Sequence, residues 1–353
     1  MKDSRGGVIA VPVCTDNEQA AFSIGLRYVN ERIPGIARKR SGKGWKYFYI
    51  ESGKPCDDNT ILRIKKLVIP PAWENVWICP FANGHLQVTG LDAKNRKQYK
   101  YHEQWTSVRN ESKFNNLYNF GKALPKIRSA VEHDLLLNGM PEKKVIAVVI
   151  KLMDVTAVRI GSAAYEKLYG SHGLTTLHDK HVKISGNKLK IEFRGKKGIE
   201  HSVEVTNSRL QKLIKKCKEI PGQELFQYID ESGNRKPVES GMINNYLKEV
   251  SGTSFTAKDF RTWKGTAEAV RCLLEIGLFE NESQKKKNVI TAFDVVSKSL
   301  GNTRTVCKKY YVHPTIIKTY ENGDLNDKLK TSPDKYFASE ELITMKLLKK
   351  DII

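Results

Sequence analysis

The sequence predicts an α+β protein with a small β-rich N-terminal domain and a larger, mainly helical domain that contains a three-stranded antiparallel sheet. The first observation is an aromatic and β-branched run at Lys46–Ile50, closed by a Gly-Lys-Pro turn. The second is the helical spacing of apolar residues in several long segments after residue 123. The third is a period-two alternation in three short segments between residues 182 and 205.

We place the β-rich domain at residues 25–106, after a poorly patterned segment at 1–24. Asp57 and its neighbours are typical of a helix N-terminus, and Pro70-Pro71 ends that helix. The predicted strands of this domain are Lys46–Ile50, Val76–Cys79, His85–Gly90 and Lys97–Tyr101.

The larger domain is assigned to residues 107–320 and a helical extension to 321–353. The predicted sheet is Val182–Ile184, Leu189–Phe193 and His201–Val205, with Lys196 at the tip of the second hairpin. The predicted helices are Leu124–Leu137, Glu142–Val155, Gly161–Leu168, Ser208–Glu219, Met242–Val250, Lys258–Glu275, Gln284–Leu300, Arg304–Tyr311 and Ser339–Lys349.

The charge of the chain indicates a polyanionic partner. Its 353 residues include 60 Lys+Arg against 39 Asp+Glu, a net charge of +21. Hydrophobic residues make up 40%, which supports packed domains and excludes a disordered basic tail. The absence of a long apolar span predicts no membrane association.

The cysteines and histidines indicate a reducing compartment and no metal site. Six cysteines lie apart without a Cys-x-x-Cys pair, so we expect reduced thiols in a cytoplasmic protein, associated with the nucleoid if it is bacterial. His172, His178 and His181 lie close together, but no cysteine or tight carboxylate cluster accompanies them. We therefore predict no metal centre.

The run Gly301–Pro314 places Tyr311 at the end of a short basic helix, and Arg159, Lys196 and Lys258-Asp259-Phe260-Arg261 precede it. A tyrosine that attacks a phosphodiester passes through a five-coordinate phosphorane carrying extra negative charge. Two guanidinium groups provide permanently charged donors for that charge, and a lysine can protonate the leaving oxygen. This set indicates attack on a phosphodiester through a covalent intermediate.

With the order Arg, Lys, Lys-x-x-Arg and Tyr, the chain resembles the type IB topoisomerases in their small bacterial and poxvirus form. It resembles less closely the tyrosine recombinases, which share the catalytic domain. The resemblance covers residues 40 to 320 and implies two domains that form a clamp around duplex DNA. It implies Tyr311 as nucleophile, Arg159 and Arg261 as the catalytic arginines and Lys196 as the acid.

Several assignments keep alternatives open. Lys197 is a rival to Lys196, Tyr310 is a rival to Tyr311, and Arg261 beside Asp259 is also consistent with an ordinary ion pair. Lys258 is expected to assist Lys196 or to replace a histidine that recombinases have at this point. Asn302 stands where many relatives have histidine; its amide can donate a hydrogen bond to a phosphate oxygen but cannot become a cation.

The segment Asp92–His102 is predicted to form a second DNA contact. Ile69–Trp73 followed by Gly90–Tyr99 resembles the N-terminal domain of the same topoisomerases, which recombinases lack. Tyr99 and Tyr101 are expected on one face of a strand, with packing beneath the domain as the alternative. The predicted DNA-binding residues are Arg96, Lys97, Gln98, Tyr99, Lys100 and Tyr101.

The sequence thus predicts a monomeric type IB topoisomerase that acts on double-stranded DNA. It would relax supercoils through a 3′-phosphotyrosyl intermediate, without a cofactor, ATP or an obligatory metal. A site-specific recombinase is the alternative, and the β-rich start argues against it. A non-catalytic DNA-binding protein is disfavoured because Arg159, Lys196, Arg261 and Tyr311 are all present.

Overall fold

The computed structural model describes residues 17–42, 44–186, 188–326, 329 and 331–350, except for the side chains of 110–112. The chain separates into two compact units, the first ending at Ser112 and the second beginning at Lys113. The domain limits predicted from the sequence, with a boundary after residue 106, stay a prediction. Among the described residues, no helix has the length and apolar character that a bilayer span requires.

The first unit is built on a five-stranded antiparallel sheet with the strand order β2-β1-β3-β4-β5. Ile36, Ile78 and Val88 of the sheet pack with Ile64 of α2 in its core. The elements are α1 (Asn17–Ser23), β1 (Ile36–Ser41), β2 (Gly44–Tyr49), α2 (Asp58–Lys66), β3 (Glu74–Ile78), β4 (Leu86–Leu91) and β5 (Lys97–Tyr101), followed by α3 (Glu103–Asn115), inside which the division between units falls.

The start of this unit corrects the sequence prediction. Residues 17–23 form α1, although 1–24 was predicted to lack pattern; residues 1–16 lie outside the described residues. Strand β1 was missed because four of its six residues are Arg, Lys or Ser, and polar strands give a weak hydrophobic signal. The predicted helix start is confirmed, since Asp57 Oδ1 accepts from the Thr60 N–H at 2.9 Å.

The second unit is mainly helical. Its three-stranded antiparallel sheet, with the order β6-β7-β8, confirms the predicted one. The small β9–β10 pair and α12 were not predicted. The elements are α4 (Leu117–Asp134), α5 (Glu142–Thr156), α6 (Ala163–Tyr169), β6 (Val182–Ser185), β7 (Lys188–Arg194), β8 (Glu200–Val205), α7 (Ser208–Lys218), β9 (Gln227–Ile229), β10 (Arg235–Pro237), α8 (Ser240–Ser251), α9 (Ala257–Ile276), α10 (Glu282–Leu300), α11 (Arg304–Tyr310), α12 (Pro314–Glu321) and α13 (Ser339–Lys350).

Helices α5 and α9 form the centre of this unit. Buried residues occur all around α5, and α9 is buried on most of its length. The C-terminal helix α13 packs on α9 and α4, where Glu341 accepts hydrogen bonds from Arg128 and from Trp263 Nε1. The predicted extension therefore contributes to the core of the second unit.

Candidate active site

Arg261 is held by the ends of two helices. It lies on α9 and is 4% exposed. Its Nη1 donates to the carbonyl of Ala157, the residue that caps the C-terminus of α5. Its Nη2 donates at 2.8 Å to the carbonyl of Leu300, the last residue of α10. Carbonyl groups at helix C-termini lack partners within the helix and carry partial negative charge, so they favour a guanidinium. Asp259 instead caps α9, accepting from the Thr256 N–H at 2.7 Å. The alternative of an Arg261–Asp259 ion pair is therefore wrong.

Arg159 follows the end of α5 in a segment fixed by close backbone packing. Its carbonyl accepts from the Leu174 N–H at 2.9 Å. Gly161 has φ +104°, and a Cβ on Gly173 would lie 2.6 Å from the Arg159 carbonyl oxygen. Burial, and then the charge of Arg261, lower the pKa of Arg159 to about 10, against an opposing effect of Tyr311.

Asn302 connects this arginine to the end of α10. Gly301 ends α10 with φ 57°, and the Asn302 N–H donates to the Ser297 carbonyl at 2.9 Å. The side-chain Oδ1 of Asn302 accepts from Arg159 Nη2 at 2.6 Å. An arginine can only donate, so this bond assigns the oxygen and leaves the Nδ2 amide directed elsewhere.

Three buried donors of these residues have no hydrogen-bond partner among the described residues: Arg159 Nη1, Arg261 Nε and Asn302 Nδ2. A buried donor without a partner costs about 1–3 kcal/mol. Three such donors on neighbouring residues are unusual in a folded protein and typical of a site that binds an anion. Phosphate oxygens accept from this kind of donor set.

Lys196 lies in the short turn Lys196–Gly198 between β7 and β8, as predicted. Its Nζ is 5.8 Å from the centre of the Tyr165 ring. The residue as a whole is exposed, yet its ammonium is desolvated, and this effect, followed by the charge of Arg159, lowers the pKa of Lys196. The charge of Lys258, an exposed residue on α9, contributes in the same direction. The choice of Lys196 over Lys197 stays a prediction.

Helix α9 also fixes the backbone of Tyr311. Thr266 Oγ1 donates to the Tyr311 carbonyl at 3.2 Å, and a Cβ on Gly265 would lie 2.9 Å from that oxygen. Gly265 comes four residues after Arg261, so both lie on one face of α9. The Arg261 guanidinium carbon is 5.2 Å from the centre of the Tyr311 ring. One helix thereby sets the distance between the predicted nucleophile and an arginine, and the geometry favours Tyr311 over Tyr310.

Lys113 is a further cation beside Tyr311. Its Nζ donates to the carbonyl of Tyr310 and lies 4.8 Å from the centre of the Tyr311 ring. Burial lowers the pKa of Lys113 to about 8, with the charges of Lys258 and Arg261 acting the same way and Asp259 opposing them. The predicted site residues Arg159, Lys196, Lys258, Arg261, Asn302 and Tyr311 therefore lie in one cationic region with Lys113 added to it.

The predicted DNA-binding strand β5 is in the first unit and shows two different faces. Tyr99 and Tyr101 are exposed, and their rings stack with centres 6.2 Å apart, as expected for one face. Lys97 is exposed on the same face and pairs with Glu31. The alternative that both tyrosines pack beneath the domain is wrong.

The other predicted contacts, which lie on this strand or directly before it, are less exposed and have hydrogen bonds within the unit. Lys100 Nζ donates to the Leu67 carbonyl at 2.6 Å, and Gln98 Nε2 donates to Asp92 Oδ2 at 2.9 Å. Arg96 pairs with Asp92 at 2.6 Å, and this hydrogen-bonded pairing lowers the pKa of Asp92 to about 2. Lys97, Tyr99 and Tyr101 are thus the predicted contacts that β5 presents to solvent.

Comparisons with known proteins give the family. The family model described as the catalytic core of eukaryotic DNA topoisomerase I matches residues 96–335, and the N-terminal domain of bacterial DNA topoisomerase IB matches residues 44–92. DNA topoisomerase 1B of Acanthamoeba polyphaga mimivirus is 35% identical over 82% of this chain and 89% of its own length. The chain belongs to the type IB DNA topoisomerases. A more distant relative, DNA topoisomerase 1B of vaccinia virus strain Copenhagen, is 24% identical over 80% of this chain and 89% of its own length.

Membership of the type IB topoisomerases confirms the family predicted from Arg159, Lys196, Arg261 and Tyr311. It also makes the chain an isomerase of this type. The match to a topoisomerase N-terminal domain sets the recombinase alternative aside, because that domain is the part of the resemblance that recombinases lack.

Two residues of this type IB topoisomerase site were missed by the sequence analysis. Lys113 precedes the segments that carry the motifs, and only the fold brings it to Tyr311. His201 on β8 lies against Gly301, where a Cβ would come within 2.5 Å of its Cε1. Burial, then the charges of Arg159 and Arg261, lower the pKa of His201. A lysine and a histidine at ordinary spacings carry no signal that singles them out.

Proposed function

We propose that this protein relaxes supercoiled double-stranded DNA by cleaving and resealing one strand through a covalent Tyr311 intermediate. The observation that carries the proposal is the set of buried, unpartnered donors on Arg159, Arg261 and Asn302 beside the Tyr311 ring. Donors of this kind suit the non-bridging oxygens of a phosphodiester whose charge increases during attack.

In the cleavage step, the Tyr311 oxygen forms a bond to phosphorus and the bond from phosphorus to the 5′-oxygen breaks. The phenolic proton leaves to water, and Lys196 protonates the 5′-oxygen, with Lys258 assisting. The lowered pKa of Lys196 makes it a better proton donor than an ordinary lysine. Arg159 and Arg261 keep their charge throughout.

Resealing reverses the same steps. The 5′-hydroxyl attacks the 3′-phosphotyrosyl ester, Lys196 recovers the proton, and Tyr311 is the leaving group. The ester conserves the free energy of the original bond, so no ATP is required. The cations supply the charge that a divalent metal would otherwise supply.

We also propose that the protein acts as a monomer that encloses duplex DNA, and that it is cytoplasmic. The family resemblance supports the clamp, and the net charge of +21 supports a polyanionic partner. The exposed Tyr99–Tyr101 face of β5 supports a contact with bases in a groove.

The direct test incubates supercoiled plasmid with the protein in EDTA without ATP and separates the topoisomers. We expect ladders of relaxed topoisomers and, after denaturation with detergent, a covalent protein–DNA adduct. Tyr311→Phe should abolish both and still bind DNA, whereas the matched variant Tyr310→Phe should retain both. Activity that is lost in chelator and restored by magnesium would contradict the mechanism.

A further inference from the structure

Glu166, His172 and His178 form a cluster that the phosphodiester chemistry does not use. Glu166 lies on α6, His172 lies in the loop that follows, and His178 precedes a short turn at Asp179–His181. The sequence predicts no metal site here because no cysteine or tight carboxylate cluster accompanies the histidines. The fold adds the carboxylate of Glu166 by bringing α6 against the loop.

The distances suit a single small ion. One ligand atom from each of the three residues lies within 4.8 Å of the other two. Glu166 Oε1 is 2.7 Å from His178 Nε2. In a tetrahedral zinc site with bonds of about 2.0–2.1 Å, ligand atoms are about 3.3 Å apart. Small side-chain adjustments would therefore bring the three ligand atoms to this spacing.

A hydrogen bond orients the His172 ring in the way that metal-binding histidines are usually oriented. His172 Nδ1 lies 2.6 Å from the Thr176 carbonyl oxygen. A carbonyl only accepts, so Nδ1 carries the proton and the lone pair of the neutral ring is on Nε2. His181 Nδ1 accepts from the backbone N–H of His178 at 2.9 Å. His181 therefore fixes the position of His178 and is not itself a ligand.

The donor types identify the ion. Calcium and magnesium prefer oxygen ligands, whereas two imidazoles and one carboxylate are a common zinc set that leaves a fourth position to water. The three side chains are 11% to 25% exposed, so an ion has access from solvent. We propose that Glu166, His172 and His178 bind Zn²⁺.

Zinc at this place would connect α6 to the hairpin that carries Lys196. Tyr165, next to Glu166 on α6, faces the Lys196 ammonium. The backbone N–H of His172 donates at 2.8 Å to the carbonyl of Arg194, which lies two residues before Lys196. The bound ion would thus act as a structural cross-link, and it does not depend on the role proposed for Tyr311.

The test is equilibrium dialysis of the full chain against micromolar ZnCl₂, with bound metal measured by atomic emission. We expect one zinc per chain, with affinity reduced at least tenfold in His178→Ala and in Glu166→Gln. The matched control is His133→Ala, which removes an imidazole that is 78% exposed and should leave binding unchanged. An unchanged far-ultraviolet circular dichroism spectrum and thermal unfolding midpoint in metal-free buffer would show that each variant is folded.

Cobalt substitution gives an independent result. Co²⁺ in this site should show the visible absorption of tetrahedral nitrogen and oxygen ligation, without a thiolate charge-transfer band in the near ultraviolet. The described cysteines are all buried and should not compete. A thiolate band, no zinc retained by the wild type, or binding that survives both His178→Ala and Glu166→Gln would overturn the proposal.

Discussion

The side chain of Asn302 presents its oxygen to Arg159 Nη2, 2.6 Å away, and keeps its Nδ2 donor free of any described partner. The amide therefore performs two separable tasks. It positions a guanidinium through the oxygen, and its nitrogen is available to a phosphate oxygen. A histidine at this position could donate from a ring nitrogen and could become a cation, whereas the asparagine amide stays neutral.

Asn302→Asp should separate these two tasks. The aspartate keeps an oxygen for Arg159 but has no donor and places a negative charge near the phosphate. We expect single-turnover adduct formation to fall by at least about 10²-fold, the usual effect of losing one donor to a developing oxyanion. Asn302→Ala should be less impaired than Asn302→Asp. Wild-type rates in Asn302→Asp would show that Nδ2 does not contact the phosphate.

Lys196→Ala should slow cleavage of an ordinary phosphodiester by about 10²–10⁴-fold, as expected for a lost general acid. The defect should largely disappear with a 5′-bridging phosphorothiolate, whose thiolate leaves without protonation. The matched control is Lys197→Ala in the same turn, which should cleave normally. Arg159→Ala and Arg261→Ala should stay defective on the sulfur substrate; their rescue, without rescue of Lys196→Ala, would reassign the acid.

The same assignment has a pH dependence. The pKa of Lys196 is lowered below its ordinary value by desolvation and by Arg159, so its acidic form is lost at a lower pH than for an exposed lysine. Cleavage of the ordinary substrate should therefore decline as pH rises through that lowered pKa, while the phosphorothiolate substrate shows no such decline.

Lys113→Met should reduce adduct formation without weakening DNA binding to the same degree. A desolvated cation over an aromatic ring is worth about 2 kcal/mol, which corresponds to a rate effect of about thirtyfold if the interaction is stronger in the transition state, where Tyr311 gains anionic character. Lys122→Met is the matched control, because Lys122 Nζ lies 5.0 Å from the Tyr118 ring, away from the site. Equal effects of both substitutions would contradict a specific role of Lys113.

The two faces of β5 predict different responses to salt. Lys97→Ala should lower the slope of log affinity against log salt by about 0.9, because the exposed Lys97 ammonium would exchange Glu31 for a phosphate and the variant loses that contact. Lys100→Ala should leave the slope unchanged, since its ammonium bonds to the Leu67 carbonyl. Tyr99→Ala should alter sequence preference more than slope. Fluorescence anisotropy with short duplexes at several salt concentrations measures all three.

Glu341→Gln should destabilise the second unit by about 3–5 kcal/mol, because it leaves the buried charge of Arg128 only partly compensated. Burial raises the pKa of Glu341, but the hydrogen bonds and charge of Arg128 outweigh it, and the pKa is lowered overall. The stabilisation is therefore present above the unfolded-state pKa and is lost as pH falls through the folded-state pKa. Urea unfolding at neutral and acidic pH measures this difference, with Glu340→Gln as a neutral control.

The order Arg159, Lys196, Arg261, Tyr311 was enough to predict the family, because the chemistry demands particular side chains and the chain order of the elements is preserved. The three-stranded sheet was also predictable, since its strands alternate with period two and end in Gly-containing turns. Helix α12 and the polar strand β1 were not, because their hydrophobic patterns are short or weak.

What only the tertiary structure decided is which groups meet. Sequence spacing gives no reason for Lys113 to lie beside Tyr311, for Glu166 to join His172 and His178, or for Asp259 to cap α9 while Arg261 bonds to helix ends. These contacts depend on how α3, α6 and α9 pack through long-range burial, which local patterns do not encode. The sequence determined which reactive side chains this protein carries, and tertiary packing determined which groups each of them contacts.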